Sequence, residues 1–268
     1  MRENRSVEVV AQEALGGDCH LMRLRWPELA RSARAGQFVM IGLPDLGAML
    51  LRRPFSVARV GSEAGGPATF EILYKVFGRA TAAFSRLRPG ARLAVLGPLG
   101  RGFWTPDGAG AGSRALLVAG GIGVAPFPLL LQQLGPRAAS ATLLYGGRSR
   151  ADLPLLDWFS SRCRVVPVTE DGSCGRRGLV TDALADELER GGEAVVYACG
   201  PAPMLKAAAE LCLERNVPCQ LALEEMMACG FGVCLGCVVE RRRPATPFER
   251  YARVCTEGPV FDAREVAL

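Results

Sequence analysis

The sequence predicts a multidomain protein: an antiparallel β-barrel, then an α/β domain on a parallel sheet, then a small C-terminal segment organised by cysteines. Three observations predict it. Short apolar runs broken by Gly, Pro and Asp fill residues 1–108. Strand-like and helix-like stretches alternate about every 25 residues through 109–224. Four of the ten cysteines crowd into residues 225–268. With 268 residues, 49% of them hydrophobic, the chain has apolar material for two cores.

In the first region, Gln37–Ile41, Phe55–Ala58, Thr69–Tyr74 and Arg92–Leu96 read as strands, separated by turns such as Leu43-Pro44-Asp45 and Arg88-Pro89-Gly90. Frequent short strands with such turns suggest a small barrel. One helix is expected there, Thr81 to Leu87, ended by Pro89-Gly90. Trp104 to Ser113 is rich in Gly, polar and without periodicity, which marks a linker. Beyond it, the apolar runs Ala115–Ala119, Ala141–Tyr145, Arg164–Val168, Ala194–Ala198 and Gln220–Leu223 alternate with helical stretches at Phe127–Leu134, Val180–Arg190 and Pro203–Arg215. That alternation predicts βαβ units and a parallel sheet whose loops bind ligands at the carboxyl ends of the strands. The last segment has too little apolar material to fold alone, and a metal cluster would hold it.

Composition excludes several kinds of chemistry. His20 is the single histidine, so neither a multi-histidine zinc site nor a Ser-His-Asp triad can be built without it. The net charge of +5 comes from arginines spread along the chain, Lys75 and Lys206 being the only lysines, and this gives no support to nucleic-acid binding. The opening MRENRSVEVVAQE has no apolar signal core, so ten cysteines point to a reducing cytoplasm. Ala115 to Leu131 is uncharged but broken by Gly and Pro, which reads as buried core and not as a membrane span.

Cys229, Cys234 and Cys237 have the spacing C-x4-C-x2-C, and Cys255 follows after 17 intervening residues. This is the spacing with which plant-type ferredoxins hold a 2Fe–2S cluster on four thiolates. Gly230, Gly232 and Gly236 let the backbone bend around a compact inorganic core. Structural zinc usually uses two C-x2-C units, and only one is present. The other six cysteines are expected to be small buried hydrophobes, with Cys199 a partial exception.

Arg53-Pro54-Phe55-Ser56 opens a strand; Leu73-Tyr74-Lys75 follows, and Ala80-Thr81 sits at a helix start. A helix N-terminus with a threonine suits a pyrophosphate, to which Arg53 can add a bidentate contact. Gly120, Gly121 and Gly123 lie between a strand and a helix, where glycine allows close approach of a second pyrophosphate. Cys199-Gly200-Pro201 makes another tight turn at a strand's carboxyl end.

In this order RPFS, LYK, the Ala80-Thr81 turn, LGPLGRGF, VAGGIGVAP and YACGPAPM resemble the ferredoxin–NADP reductase superfamily. MACGFGVCLGCVV and VCTEGPVFDAREV narrow the resemblance to the electron-transfer subunits of heteromeric NAD-linked dihydroorotate dehydrogenases. The usual Gly-Thr of the pyrophosphate turn is Ala80-Thr81 in this chain. The resemblance implies FAD on the barrel motifs, NAD as co-substrate on the α/β motifs, with Cys199 to Pro201 beside the reacting rings, and the cluster on Cys229, Cys234, Cys237 and Cys255. It also implies an FMN-containing catalytic partner, a heterotetramer of two plus two chains, and a role in pyrimidine biosynthesis. Electrons would run from the partner's FMN through the cluster and FAD to NAD+.

Glu170 and Asp171, after the third sheet strand, would repel a 2′-phosphate and favour NAD over NADP; Arg148 and Arg150 argue the other way. Two alternatives stand beside this expectation. One is the small subunit of an NADH-dependent ferredoxin–NADP oxidoreductase, where the resemblance implies an aspartate as first cluster ligand. The other is a zinc-stabilised interaction module.

Overall fold

Strands with one apolar face need burial on one side only, and the first region folds accordingly into antiparallel neighbours. In this computed structural model, which describes residues 3–43, 51–63, 66–104 and 113–268, it holds β1 (Glu3–Gly16), β2 (Cys19–Arg25), α1 (Pro27–Ser32), β3 (Phe38–Gly42), β4 (Arg53–Ser56), β5 (Arg59–Glu63), β6 (Gly66–Lys75), α2 (Arg79–Phe84) and β7 (Arg92–Leu99). The strand order is β4-β3-β7-β1-β2-β6-β5. The two edge strands are consecutive in the chain, and the residues joining them stitch both edges. The Val57 N–H donates to the Gln37 carbonyl (3.0 Å), and the Ala58 N–H donates to that of Glu71 (2.8 Å). One dipeptide thus curls the sheet into the expected barrel-like form. Leu93 and Val95, alternating along β7, are buried in it.

Four elements differ from expectation. β1 and β2 escape the apolar-run criterion because charged residues interrupt both (ENRSVEVVAQEALG, CHLMRLR). α1 is six residues long and buries only Leu29 and Ala30, too little for a helical period to register. The expected Thr81–Leu87 helix starts earlier, at Arg79. The Thr81 hydroxyl accepts the N–H groups of Phe77 (2.8 Å) and Gly78 (3.1 Å) and so caps the first turn. The expected Leu43-Pro44-Asp45 turn and the Trp104–Ser113 linker fall mostly outside the described residues.

The second region comprises β8 (Arg114–Gly120), α3 (Phe127–Leu134), β9 (Thr142–Gly147), α4 (Leu156–Ser160), β10 (Arg164–Thr169), β11 (Arg176–Arg177), α5 (Val180–Glu189), β12 (Ala194–Cys199), α6 (Ala202–Glu214) and β13 (Cys219–Ala222). The C-terminal segment adds β14 (Val238–Glu240), β15 (Tyr251–Arg253) and β16 (Val260–Asp262). The large sheet runs β11-β10-β9-β8-β12-β13-β16, with every neighbour parallel except β16. All six residues of β12 are buried, as a central parallel strand covered on both faces requires. Strand order reverses between β8 and β12, which places a ligand crevice at their carboxyl ends.

The C-terminal segment proves to be anchored by more than a metal group. β16 pairs with β13 through Gln220–Asp262, Leu221–Phe261 and Ala222–Val260, and Val254, Phe261 and Val266 are buried. It borrows its core from the sheet edge. The barrel is fixed to the α/β domain by α3. Gln133 pairs with the backbone of Ala35 and Ala33 (3.0 Å each), and Gln132 with both backbone groups of Val60.

Candidate functional site

A cleft of about 930 Å³ opens where the three regions meet. One wall is the barrel edge: Arg53, Pro54, Phe55 and Ser56 on β4, with Phe38 of β3. The other is the stretch Leu223 to Ala228 that leaves β13, with Gly236 and Pro259. The Arg53 guanidinium donates to the Leu51 carbonyl (2.6 Å) and that of Arg52 (3.4 Å), and so retains donors for an anion. Glu224 reaches the water of the cleft while protein encloses most of its sides, and this partial burial raises its carboxyl above the ordinary value. Sequence reasoning gave Glu224 to Met227 no role. The available signal was an acidic pair between the last sheet strand and the first clustered cysteine.

The other barrel motifs lie away from this wall. Leu73 and Tyr74 are buried in the barrel core. The Tyr74 hydroxyl donates to Gln12 Oε1 (3.1 Å), its ring packs edge-on to Phe55 (5.8 Å between centroids) and Phe84 (6.5 Å), and burial raises its phenol well above the ordinary value. His20, which no motif included, stacks on the Tyr74 ring at 5.4 Å. Lys75 is ion-paired across the domain boundary with Asp152 (2.8 Å). Ala80 is buried, and the Thr81 hydroxyl is engaged in its own helix cap. These side chains shape the barrel behind β4.

At the switch point the two predicted turns meet backbone to backbone. A Cβ on Gly123 would collide with the Cys199 carbonyl. One on Gly120 would lie 2.6 Å from Pro201 Cδ, and one on Gly200 would lie 2.9 Å from the Gly120 nitrogen. Gly121 has φ +55°. Glycine is required here so that the turns after β8 and β12 can touch. The Cys199 side chain points into the core, where burial first and the Glu224 charge second push its thiol well above the ordinary range.

In the loop after β10, Asp171 accepts from the Ser173 N–H (2.9 Å) and hydroxyl (2.6 Å), which hold its carboxyl low. Arg150 bonds the Leu153 carbonyl (3.2 Å) and stands 3.8 Å from Asp157. Arg148 is exposed, 3.6 Å from Asp152.

The four clustered cysteines converge as two pairs. Cys229 shares a hydrogen bond with Cys234, and Cys237 shares one with Cys255. Burial would push the Cys229 thiol up, but the N–H groups of Cys234, Phe231 and Val233 aimed at its sulfur bring it down to about 6. Cys255 is pushed up to about 12 by burial, then by its hydrogen bond and the charges of Cys237 and Cys229, with the Gly232 N–H opposing. Gly230 (φ +77°) and Gly232 (φ +94°) make these turns, the first pressed on Met40 of β3 and the second on Thr256. Among the described residues, no three His, Cys, Asp or Glu side chains are set to share one ion. Two pairs do not suit a single tetrahedral metal, but they do suit a centre with two.

Residues 224–267 match the family model described as the iron–sulfur cluster binding domain of dihydroorotate dehydrogenase B, and residues 117–210 match the oxidoreductase NAD-binding domain. The dihydroorotate dehydrogenase B (NAD(+)) electron transfer subunit of Caldanaerobacter subterraneus is 36% identical over 266 residues, covering 99% of both chains. The chain belongs to the family of these electron transfer subunits.

Membership makes it the electron-transfer subunit of an NAD-dependent dihydroorotate dehydrogenase, an oxidoreductase component with an iron–sulfur cluster binding domain and an NAD-binding domain. Two solved structures share the fold. An NADH-dependent reduced ferredoxin–NADP oxidoreductase, studied for flavin-based electron bifurcation, aligns at TM-score 0.81 and 29% identity over 98% of this chain and 90% of that one. A ferredoxin NADP+ reductase from Neisseria gonorrhoeae with bound FAD and NADP aligns at 0.66 and 18% over 80% and 92%. No helix among the described residues is long and apolar enough to cross a membrane.

Proposed function

We propose that this family member joins a two-electron site to a one-electron site across a single cleft, and that its partner is an FMN-containing dihydroorotate-oxidising subunit in a two-plus-two heterotetramer. One observation carries the first part. The cleft beside Arg53–Ser56 is walled on its far side by Ala228 and Gly236, the residues next to Cys229 and Cys237. A flavin exchanges hydride with a nicotinamide and single electrons with an iron–sulfur centre, and 930 Å³ lies within the range of cofactor pockets.

In this proposal Arg53 takes the flavin's phosphates, and Pro54 to Ser56 present the β4 edge to its rings. The touching turns at Gly120–Gly123 and Cys199–Pro201 admit the nicotinamide dinucleotide at the sheet's switch point. The residues fit the cluster: two thiol pairs, three N–H groups on the Cys229 sulfur, and a buried Thr256 Oγ1 with no hydrogen-bond partner among the described residues. Leu73, Tyr74, Lys75, Ala80 and Thr81 act from behind, by holding the barrel edge and the α2 turn in place. Glu170, an exposed carboxylate beside the Asp171 turn, faces the ribose hydroxyls of NAD.

Substrate oxidation falls to the partner, because no histidine lies on the cleft wall and the family name is that of a transfer subunit. The docking face in this proposal surrounds the cluster: Val233 and Leu235, on either side of Cys234, are exposed apolar side chains, and Met226 and Tyr251 are further exposed ones in the same C-terminal segment. No disulfide joins any of the ten cysteines, which supports a cytoplasmic setting.

The test is co-purification with an FMN-containing candidate partner, then a dihydroorotate–NAD+ assay with flavin and iron content measured. A yellow and reddish-brown complex that reduces NAD+ is expected. A colourless zinc-loaded chain, or a coloured one that couples only to ferredoxin, sinks the proposal.

A further inference from the structure

Three buried side-chain atoms among the described residues have no hydrogen-bond partner: His20 Nδ1, Trp26 Nε1 and Thr256 Oγ1. His20 and Trp26 belong to the barrel, and each has its ring against a neighbour, Tyr74 and Arg5 respectively. Thr256 differs in its surroundings. It directly follows Cys255, and its methyl and hydroxyl press on Gly232, where an added Cβ would lie 2.8 Å from Cγ2 and 3.5 Å from Oγ1. Gly232 is in the loop between Cys229 and Cys234, and its own N–H donates to the Cys255 sulfur. The unmatched hydroxyl is therefore packed against the loop that carries Cys229 and Cys234, one residue after Cys255.

A hydroxyl removed from water keeps one proton to donate, and leaving it without an acceptor opposes folding. We propose that the Thr256 hydroxyl donates a hydrogen bond to the sulfur core of the 2Fe–2S cluster, and by doing so raises the cluster's reduction potential. This rests on the ligand assignment above. A donor to cluster sulfur stabilises the reduced, more negative state over the oxidised one, as hydrogen bonds to the sulfurs of such centres do. Thr256 would thus set how readily the cluster accepts an electron, without ligating iron.

The test uses the holo complex. Thr256→Val keeps the shape and removes the donor; Thr256→Ser keeps the donor and removes the methyl. Iron and acid-labile sulfide are measured first, two of each per chain confirming the ligand assignment. The midpoint potential then follows from a redox titration monitored by electron paramagnetic resonance. Thr256→Val is expected to disfavour reduction about tenfold, which is ~59 mV for a one-electron couple, with Thr256→Ser within twofold of the unsubstituted protein. An unchanged potential in a fully loaded Thr256→Val protein overturns the proposal, as does an equal shift in both variants. If Thr256→Val fails to load, Thr256→Ala takes its place under the same criteria. If neither apolar variant loads, Thr256→Ser alone decides, and a tenfold shift there overturns the proposal. Absence of iron from the unsubstituted protein would instead overturn the ligand assignment.

Discussion

The buried sheet cysteines and Cys229 of the C-terminal loops stand in environments with opposite effects on the thiol. Cys19, Cys163, Cys199 and Cys219 are buried in or beside the sheets. Burial pushes Cys163 up to about 11 and Cys19 and Cys199 above the ordinary value. For Cys219 the hydrogen bond with Cys212 adds the larger part. In the C-terminal loops the same residue type meets backbone N–H groups instead, and Cys229 falls to about 6. The difference lies in the backbone. A strand spends its N–H groups on the neighbouring strand, whereas the Gly230–Gly236 loop leaves them free to point at sulfur. A sheet cysteine is therefore a small hydrophobe, whereas Cys229 meets a loop backbone that favours its thiolate.

The largest expected effect breaks that contrast directly. Cys234→Ser should lower dihydroorotate–NAD+ turnover at least ~100-fold, the upper end for damage to a metal site. NADH oxidation with an artificial flavin acceptor should stay within about twofold, because that route needs no cluster. Cys212→Ala, buried in α6, should leave both activities alone and cost ~1–2 kcal/mol in urea unfolding. Turnover that survives in Cys234→Ser would remove the wire from the scheme.

Next in size is the face around the loops. Val233 and Leu235 are 72% and 61% exposed, close to the exposed Cys234, whereas the apolar residues around the sheet cysteines are buried. Val233→Glu with Leu235→Glu should weaken binding of the catalytic partner about 30-fold, near 2 kcal/mol for loss of an interface anchor. Iron content should not change, since only the backbone of Val233 serves the cluster. Unaltered affinity by calorimetry would move the docking face elsewhere.

How much of this could be read from the sequence depended on whether a signal was local. The cluster cysteines and the two glycine turns were legible because their chemistry requires fixed spacings: Gly123 must be glycine to clear the Cys199 carbonyl. The barrel edge RPFS was legible as a strand start and does line the cleft. Tyr74 was not separable from a ligand contact, since only the fold shows its hydroxyl committed to Gln12, 62 residues away. Glu224 and Thr256 were missed for the same reason. Their environments are made by β13, β16 and the cysteine loops together, and no short string encodes that meeting. β1 went unseen because its charged residues alternate irregularly with Val7 and Val9.

A smaller effect sharpens the assignment of Cys199. If that thiol only fills space, Cys199→Ala should cost ~1 kcal/mol of stability and leave the rate of flavin reduction by NADH within about twofold. Gly123→Ala, which drives the two turns apart, should raise the KM for NADH several-fold with the flavin spectrum intact, in line with the ~1–3 kcal/mol cost of overpacking. A Cys199→Ala enzyme slowed more than tenfold in stopped flow would place the thiol on the hydride path.

The gentlest test concerns Cys19, the sheet cysteine with charges nearby. Burial raises its thiol first, the Lys75 charge opposes this, and Asp152 adds to it. Lys75 and Asp152 also tie the barrel to the α/β domain at 2.8 Å. The Asp152 carboxyl is partly buried, which would raise it, but the Lys75 hydrogen bond and charge, with Arg148, bring it below its ordinary value. A carboxylate lowered in the folded state stabilises the protein fully above its unfolded pKa, ~3.9, and loses that contribution as pH falls through the lower folded value. Lys75→Met should therefore cost ~1 kcal/mol between pH 5 and 7, with the gap closing below about pH 4 as Asp152 takes a proton in both proteins. It should also slow alkylation of Cys19, because the charge that opposed burial is gone. A gap independent of pH in urea titrations would mean that Lys75 stabilises the joint by packing of its methylenes and not by its charge.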